Sequence, residues 1–323
     1  MKTRHSWVFP LMITVFICMS CASTEQQESA SKGPGTPAEP GQHAVKRDYK
    51  PVTVLDLKYG PAEAQPGYLP PLESDETAPD AIAVTVARRI LINDPAKCRI
   101  AVYDLARREY LRSITRDGHM FVGVIWHPGG ITTIDWEARE VVLFDEEGRL
   151  IHTQPFAETF WHRTWGLNAS NEGIRLWTDS GNCLVFKGNR TLVPVPAEEQ
   201  LATAIEGESY GNHVYQTYRV GARVVQRSPS GETVREFSLG EEVSEIRVFG
   251  EDAQGCIYVF ASAEPGTGRC VIFDKQGEES SRFDLLASGE GVRLMDLWVT
   301  PHGAVFQLWH DETRIRVIAF GLK

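Results

Sequence analysis

Positive charge is in short supply: 33 Lys and Arg face 43 Asp and Glu, leaving a formal net charge of −10 and a pI near 5.5. A chain of this balance has no basic footprint for a phosphate backbone, which excludes nucleic acid as a partner. Nucleophile elbow, phosphate-binding glycine loop, dinucleotide fingerprint and zinc signature are all missing. No apolar run is long enough to span a bilayer as a mature helix. Beyond residue 21 only Cys98, Cys183, Cys256 and Cys270 occur, with neither a CxxC pair nor metal-ligand spacing among them. Cys256 and Cys270 fall in one predicted hairpin and could bridge, whereas Cys98 and Cys183 read as buried apolar thiols.

What the chain does have is size and apolar content. Its 323 residues are 42% hydrophobic, enough for a sizeable core and too apolar for a wholly disordered chain. At the start, Lys2 and Arg4 precede an apolar run, Trp7 to Met19, that ends in small Ser20 and Cys21. The charged, apolar, small-residue order is that of a signal peptide over residues 1–20. Residues 21–49 are rich in Ser, Glu, Gln, Gly and Pro without apolar periodicity, and read as a disordered tether.

From there a period emerges. The segments RIAVY (99–103), EVVLF (140–144), NCLVF (182–186), RVVQR (223–227), RCVIF (269–273) and RVIAF (316–320) end 41, 42, 41, 46 and 47 positions apart. That is the length of a propeller blade. Gly148, Gly231 and Gly277 recur four residues after the segment end, where a tight turn needs a positive φ. A second apolar strand precedes each segment, and Gly130, Gly173, Gly211, Gly255 and Gly303 stand before five of these. The unit is therefore a four-stranded antiparallel meander. Six in a row would expose two edges, and closure into a ring removes them.

The expectation is an all-β, six-bladed β-propeller over residues 50–323. Its blades fall roughly at 80–117, 118–158, 159–200, 201–243, 244–289 and 290–323. By Lys323 the last unit has supplied only three strands, so the strand-like run PVTVLDL (51–57) is expected to dock as its missing outer strand.

Two resemblances bear on identity. Ser20 before Cys21 resembles the lipobox of bacterial lipoproteins, which implies lipidation of Cys21 and cleavage after Ser20. An ordinary secretory signal is the other reading. Ala22, rather than Asp, implies outer-membrane sorting by that family's rule, facing the periplasm or the surface. The pairing of Ile90–Asp94 with Arg99–Asp104, Ile131–Asp135 with Val141–Gly148, and Cys256–Phe260 with Arg269–Gly277 resembles NHL-type repeats of the six-bladed propeller superfamily.

In such a ring, the connections into each innermost strand and the second-to-third-strand loops crowd one channel mouth. The richest connection, FAETFWHRTW, offers Phe160, Trp161, His162, Arg163 and Trp165 as a ligand or partner site. Alternatively the two indoles pack between blades while His162 and Arg163 are solvated. The same mouth carries Asp117 and His119, Glu198 and Glu199, Glu241 and Glu242, and Glu290 with Arg293. These carboxylates suit calcium, or solvent. Asp94, Asp135 and Asp179 recur with the period and read as turn caps.

The function expected is a lipid-anchored envelope module that binds a protein or small ligand without catalysis. A calcium-dependent lactonase or esterase in the channel is the alternative. It resembles gluconolactonase-type propellers, yet their early Glu-Gly-Pro stretch and later Asn-Asp pair do not appear at the matching positions. The tryptophan docking motif of quinoprotein propellers is missing too.

Overall fold

Alternating β-branched and aromatic residues between glycine turns form short, regular strands here, and among the described residues helix is confined to short segments. A computed structural model describes residues 48–68, 78–157, 164–178, 181–264, 266–287 and 296–322. Strand β1 is Val52–Lys58. The first blade comprises β2 (Ala81–Val84), β3 (Arg89–Asp94), β4 (Arg99–Asp104) and β5 (Glu109–Ile114). The second comprises β6 (Phe121–His127), β7 (Gly130–Asp135), β8 (Glu140–Phe144) and β9 (Leu150–Pro155). Next come β10 (Thr164–Ser170), β11 (Gly173–Thr178), β12 (Gly181–Lys187) and β13 (Val193–Pro194). The fourth blade is β14 (Glu208–Tyr210), β15 (His213–Tyr218), β16 (Arg223–Arg227) and β17 (Thr233–Ser238). The fifth is β18 (Glu245–Glu251), β19 (Ile257–Ser262), β20 (Arg269–Phe273) and β21 (Glu279–Asp284). The sixth contributes β22 (Leu297–Val299), β23 (Val305–His310) and β24 (Arg314–Phe320).

Each sheet is a four-stranded antiparallel meander, and the sixth has the order β1-β24-β23-β22. The N-terminal strand therefore completes the last blade, with Val52 opposite Ala319 and Lys58 opposite Arg314. Each innermost strand packs on the next, and β22 packs on β2, so the ring is closed. This is an all-β, six-bladed propeller.

Apolar side chains fill the gaps between blades. Val54, Leu55, Ile90 and Val317 belong to the cluster between the sixth and first blades, and similar clusters occupy four other seams. The seam between the third and fourth blades is knit by hydrogen bonds instead. Asn182 Nδ2 donates to the Gly207 carbonyl, Arg175 Nη1 to the Thr203 carbonyl, and the Leu184 amide to Thr203 Oγ1.

Polar structure elsewhere is largely architectural. Asp135 caps its turn through the Ala138 amide, as expected. Asp94 does something else: its fully buried carboxylate accepts the Gly67 amide and Arg99 Nε at 2.9 Å, pinning the 59–68 segment to the first blade. Asp179 lies outside the described residues. No disulfide joins the four cysteines among the described residues. Cys270 pairs with Phe260, four strand positions beyond Cys256, roughly 13 Å along the strand and beyond disulfide reach. Cys183 is buried, whereas Cys98 is only half-buried, because it sits at φ 49° in the turn after Pro95–Lys97.

Candidate ligand site in the central channel

The innermost strands are built to leave room. Strands β6, β10 and β18 each carry a register shift, between Val122 and Val124, Thr164 and Gly166, and Val248 and Gly250. Bulges of this kind re-aim side chains, and Gly123, Gly166 and Gly250 keep backbone close to the axis without adding bulk. A Cβ on Gly250 would lie 2.7 Å from Val299 Cγ2.

Between these strands lies a cavity of about 580 Å³. It reaches the first-to-second-strand turns, including Pro128, Asn171, Asn212 and Gln254. Those turns ring the mouth opposite the one that carries the loops into each innermost strand. Its walls are mainly aliphatic and aromatic, with a few converging polar groups, as organic-ligand pockets are.

Four residues of this wall each carry a buried side-chain polar atom with no partner among the described residues. These atoms are the indole nitrogens of Trp126 and Trp298, Asn168 Oδ1 and Glu208 Oε2. Each comes from a different region of the chain, on β6, β22, β10 and β14. A buried polar atom left unpaired costs about 1–3 kcal/mol, and four at one cavity point to a bound molecule.

Glu208 is 3% exposed, and its other oxygen, Oε1, accepts Arg247 Nη1 at 3.1 Å. Burial pushes its carboxyl up to about 7, against the opposing pull of Arg247. Arg247 lies over the Trp177 ring, 5.3 Å from its centroid. Burial, reinforced by the Glu208 carboxylate, raises the Tyr210 phenol well above its ordinary value. At the turn end of β18, on the same fourth-to-fifth-blade seam, Glu251 Oε2 accepts the Tyr215 hydroxyl at 2.8 Å and contacts His213 Nδ1 at 3.2 Å. His127 Nδ1 accepts the Gly129 amide at 3.0 Å, and burial lowers its pKa, so the ring is neutral with its proton on Nε2. Among the described residues, no three His, Cys, Asp or Glu side chains converge as a metal site.

The loop residues expected to form a site are placed elsewhere or fall outside the described residues. Phe160, Trp161, His162, Arg163, Glu290 and Arg293 lie outside them, as does the side chain of Trp165. Half-exposed His119 contacts Asp135 Oδ2 at 2.8 Å, beside Arg116, which bridges Asp135 and Glu140. Glu241 receives Arg269 at 2.9 Å and Arg282 at 3.1 Å. Neither His119 nor Glu241 lines the cavity, and Asp117, Glu198, Glu199 and Glu242 are exposed. A sequence signal for the indoles did exist: Trp126 and Trp298 each precede a proline and a glycine turn, in WHPGG and WVTPHG.

No family model and no curated protein matches the chain. Solved structures of similar fold do. A streptogramin B lyase superposes with a TM-score of 0.45 at 11% identity, covering 77% of this chain and 95% of that one. A member of the duf4221 family from Bacteroides vulgatus gives 0.46 at 8%, covering 85% and 99%. The WD40 β-propeller domain of Doa1 gives 0.41 at 13%, covering 84% and 93%.

Proposed function

We propose that this protein is a lipid-anchored cell-envelope propeller that binds a small organic molecule in its central channel and does not transform it. The observation that carries the binding reading is the set of four unpartnered polar atoms on one 580 Å³ cavity. The chemistry of the walls favours binding over catalysis. The three lining carboxylates are engaged, Glu208 by Arg247, Glu251 by Tyr215 and His213, and Asp252 by the Gln254 and Cys256 amides and the Tyr258 hydroxyl, and among the described residues no nucleophile stands against a base. The anchor rests on Ser20 and Cys21 and on the charged-then-apolar segment before them, as does localisation at the outer membrane.

The test is equilibrium dialysis of the full chain in detergent against an envelope metabolite extract, read by mass spectrometry, beside an Ala169→Phe variant. Ala169 lines the cavity, and a phenyl ring there fills part of it. Retention of a small molecule by the wild type and its loss in Ala169→Phe supports the reading. Equal retention, or none, contradicts it.

A further inference from the structure

We infer that the channel wall between the third and fourth blades is a subsite for the ammonium group of an organic amine, with Glu208 as counter-ion. This rests on the channel being a ligand site.

Three features select that chemistry. First, Glu208 Oε2 is a buried acceptor that no group among the described residues satisfies, while Arg247 holds only Oε1. For the ionised carboxylate the missing partner must donate. Second, Asn168 supplies another acceptor on the neighbouring innermost strand. Asn182 Nδ2 is committed to the Gly207 carbonyl, so Asn182 Oδ1 receives Asn168 Nδ2, at 3.4 Å. That orientation leaves Asn168 Oδ1 without a donor. Third, the described cavity wall carries Glu208, Glu251 and Asp252 and no Lys or Arg. A cation is favoured there, and a carboxylate or phosphate would be desolvated against like charge.

An ammonium offers three N–H donors on a compact head and matches these acceptors. A hard metal ion asks for six or more oxygens, which the described residues do not bring together. The Trp126 and Trp298 indoles supply N–H donors for an acceptor elsewhere on the molecule, and ring faces for its hydrocarbon body. The ligand is thus an amine with an apolar body and a second, accepting polar group.

Ionisation of Glu208 gives a readout that a merely structural role would not move. The groups facing it are Arg247 from β18 and Tyr210 from its own strand. Tyr210, raised by burial, stays neutral between pH 6 and pH 8, and an alkylammonium keeps its charge there. Affinity for the amine should rise about tenfold over that interval as the carboxyl loses its proton.

The experiment is calorimetric titration of the full chain in detergent with phenethylammonium, 2-phenylethanol and 3-phenylpropanoate. The expected result is that the amine binds at least tenfold more tightly than the other two, with the stated pH dependence. Glu208→Gln should cost the amine at least tenfold and change the alcohol less than about twofold. Equal binding of amine and alcohol overturns the counter-ion role while leaving the channel reading intact, and tighter binding of the carboxylate does the same. Absence of binding by all three overturns the inference, and the dialysis result then decides the channel reading separately. If Glu208→Gln does not fold, wild-type selectivity and its pH dependence carry the test.

Discussion

Glu208 and Arg247, on the innermost strands of the fourth and fifth blades, meet at 3.1 Å with the carboxylate almost wholly buried and the guanidinium one-third exposed. Such a pair does not hold the carboxyl in its usual range, because burial outweighs the neighbouring charge. Below about pH 4.5 the acid is protonated in both folded and unfolded chains and costs nothing. As pH rises toward 7 the unfolded chain ionises first, so stability falls, by about 3 kcal/mol once pH passes 7. Urea unfolding between pH 5 and pH 8 should show this decline in the wild type and a flatter profile in Glu208→Gln. Asp145 and Asp311, whose pKa values are lowered, act in the opposite sense only below pH 4, whereas His127, lowered by burial, opposes the decline below about pH 6.5, so the difference between wild type and Glu208→Gln carries the test.

Ring closure depends on β1. Val54 and Leu55 are 3% exposed in the seam with the first blade, and each is worth about 1.5–3 kcal/mol of burial. Deleting residues 50–58 also leaves β24 as an open edge. The thermal midpoint should fall by about 10 °C or more. Asp56→Ala, which removes exposed ion pairs to Arg314 and Arg316, should shift it by only about 1–2 °C.

Asp94 and Arg99 form a buried pair that also positions the 59–68 segment, since Arg99 Nη1 and Nη2 donate to the Glu63 and Gln65 carbonyls at 2.6 Å. Asp94→Ala strands the guanidinium and should cost about 3–5 kcal/mol in urea unfolding. Limited proteolysis should then cut first within 59–68.

Two turn glycines should respond differently to alanine. At Gly130, φ is 143° and a Cβ would stand 2.2 Å from the Phe144 carbonyl oxygen, so Gly130→Ala must move backbone. At Gly231, φ is 87° with nothing within 4 Å, leaving only conformational strain of about 1–2 kcal/mol. Chemical denaturation of both variants should give the larger loss at Gly130.

Blade period and closure were legible because each rests on local signals. Apolar alternation, Gly148, Gly231 and Gly277, and the spare strand at 51–57 all act through neighbours in sequence or pairing. The cavity was not legible for the opposite reason. Trp126, Asn168, Glu208 and Trp298 lie up to 172 positions apart and become neighbours only when four innermost strands converge. Each alone reads as an ordinary strand residue. Loop composition instead drew attention to Phe160–Trp165 and to the opposite mouth, where His119 contacts Asp135 and Glu241 is held by Arg269.

The most direct test of a ligand site in the channel is a nitrogen-15 indole spectrum of the full chain, titrated with phenethylammonium at pH 8. Trp126→Phe and Trp298→Phe assign the two cavity resonances, and Trp309, whose Nε1 donates to the Ala287 carbonyl at 2.7 Å, serves as an outside reference. The Trp126 and Trp298 signals should move together and saturate while Trp309 stays fixed. Bound amine with both cavity signals unmoved, or with Trp309 moving in their place, would contradict a binding site in the channel.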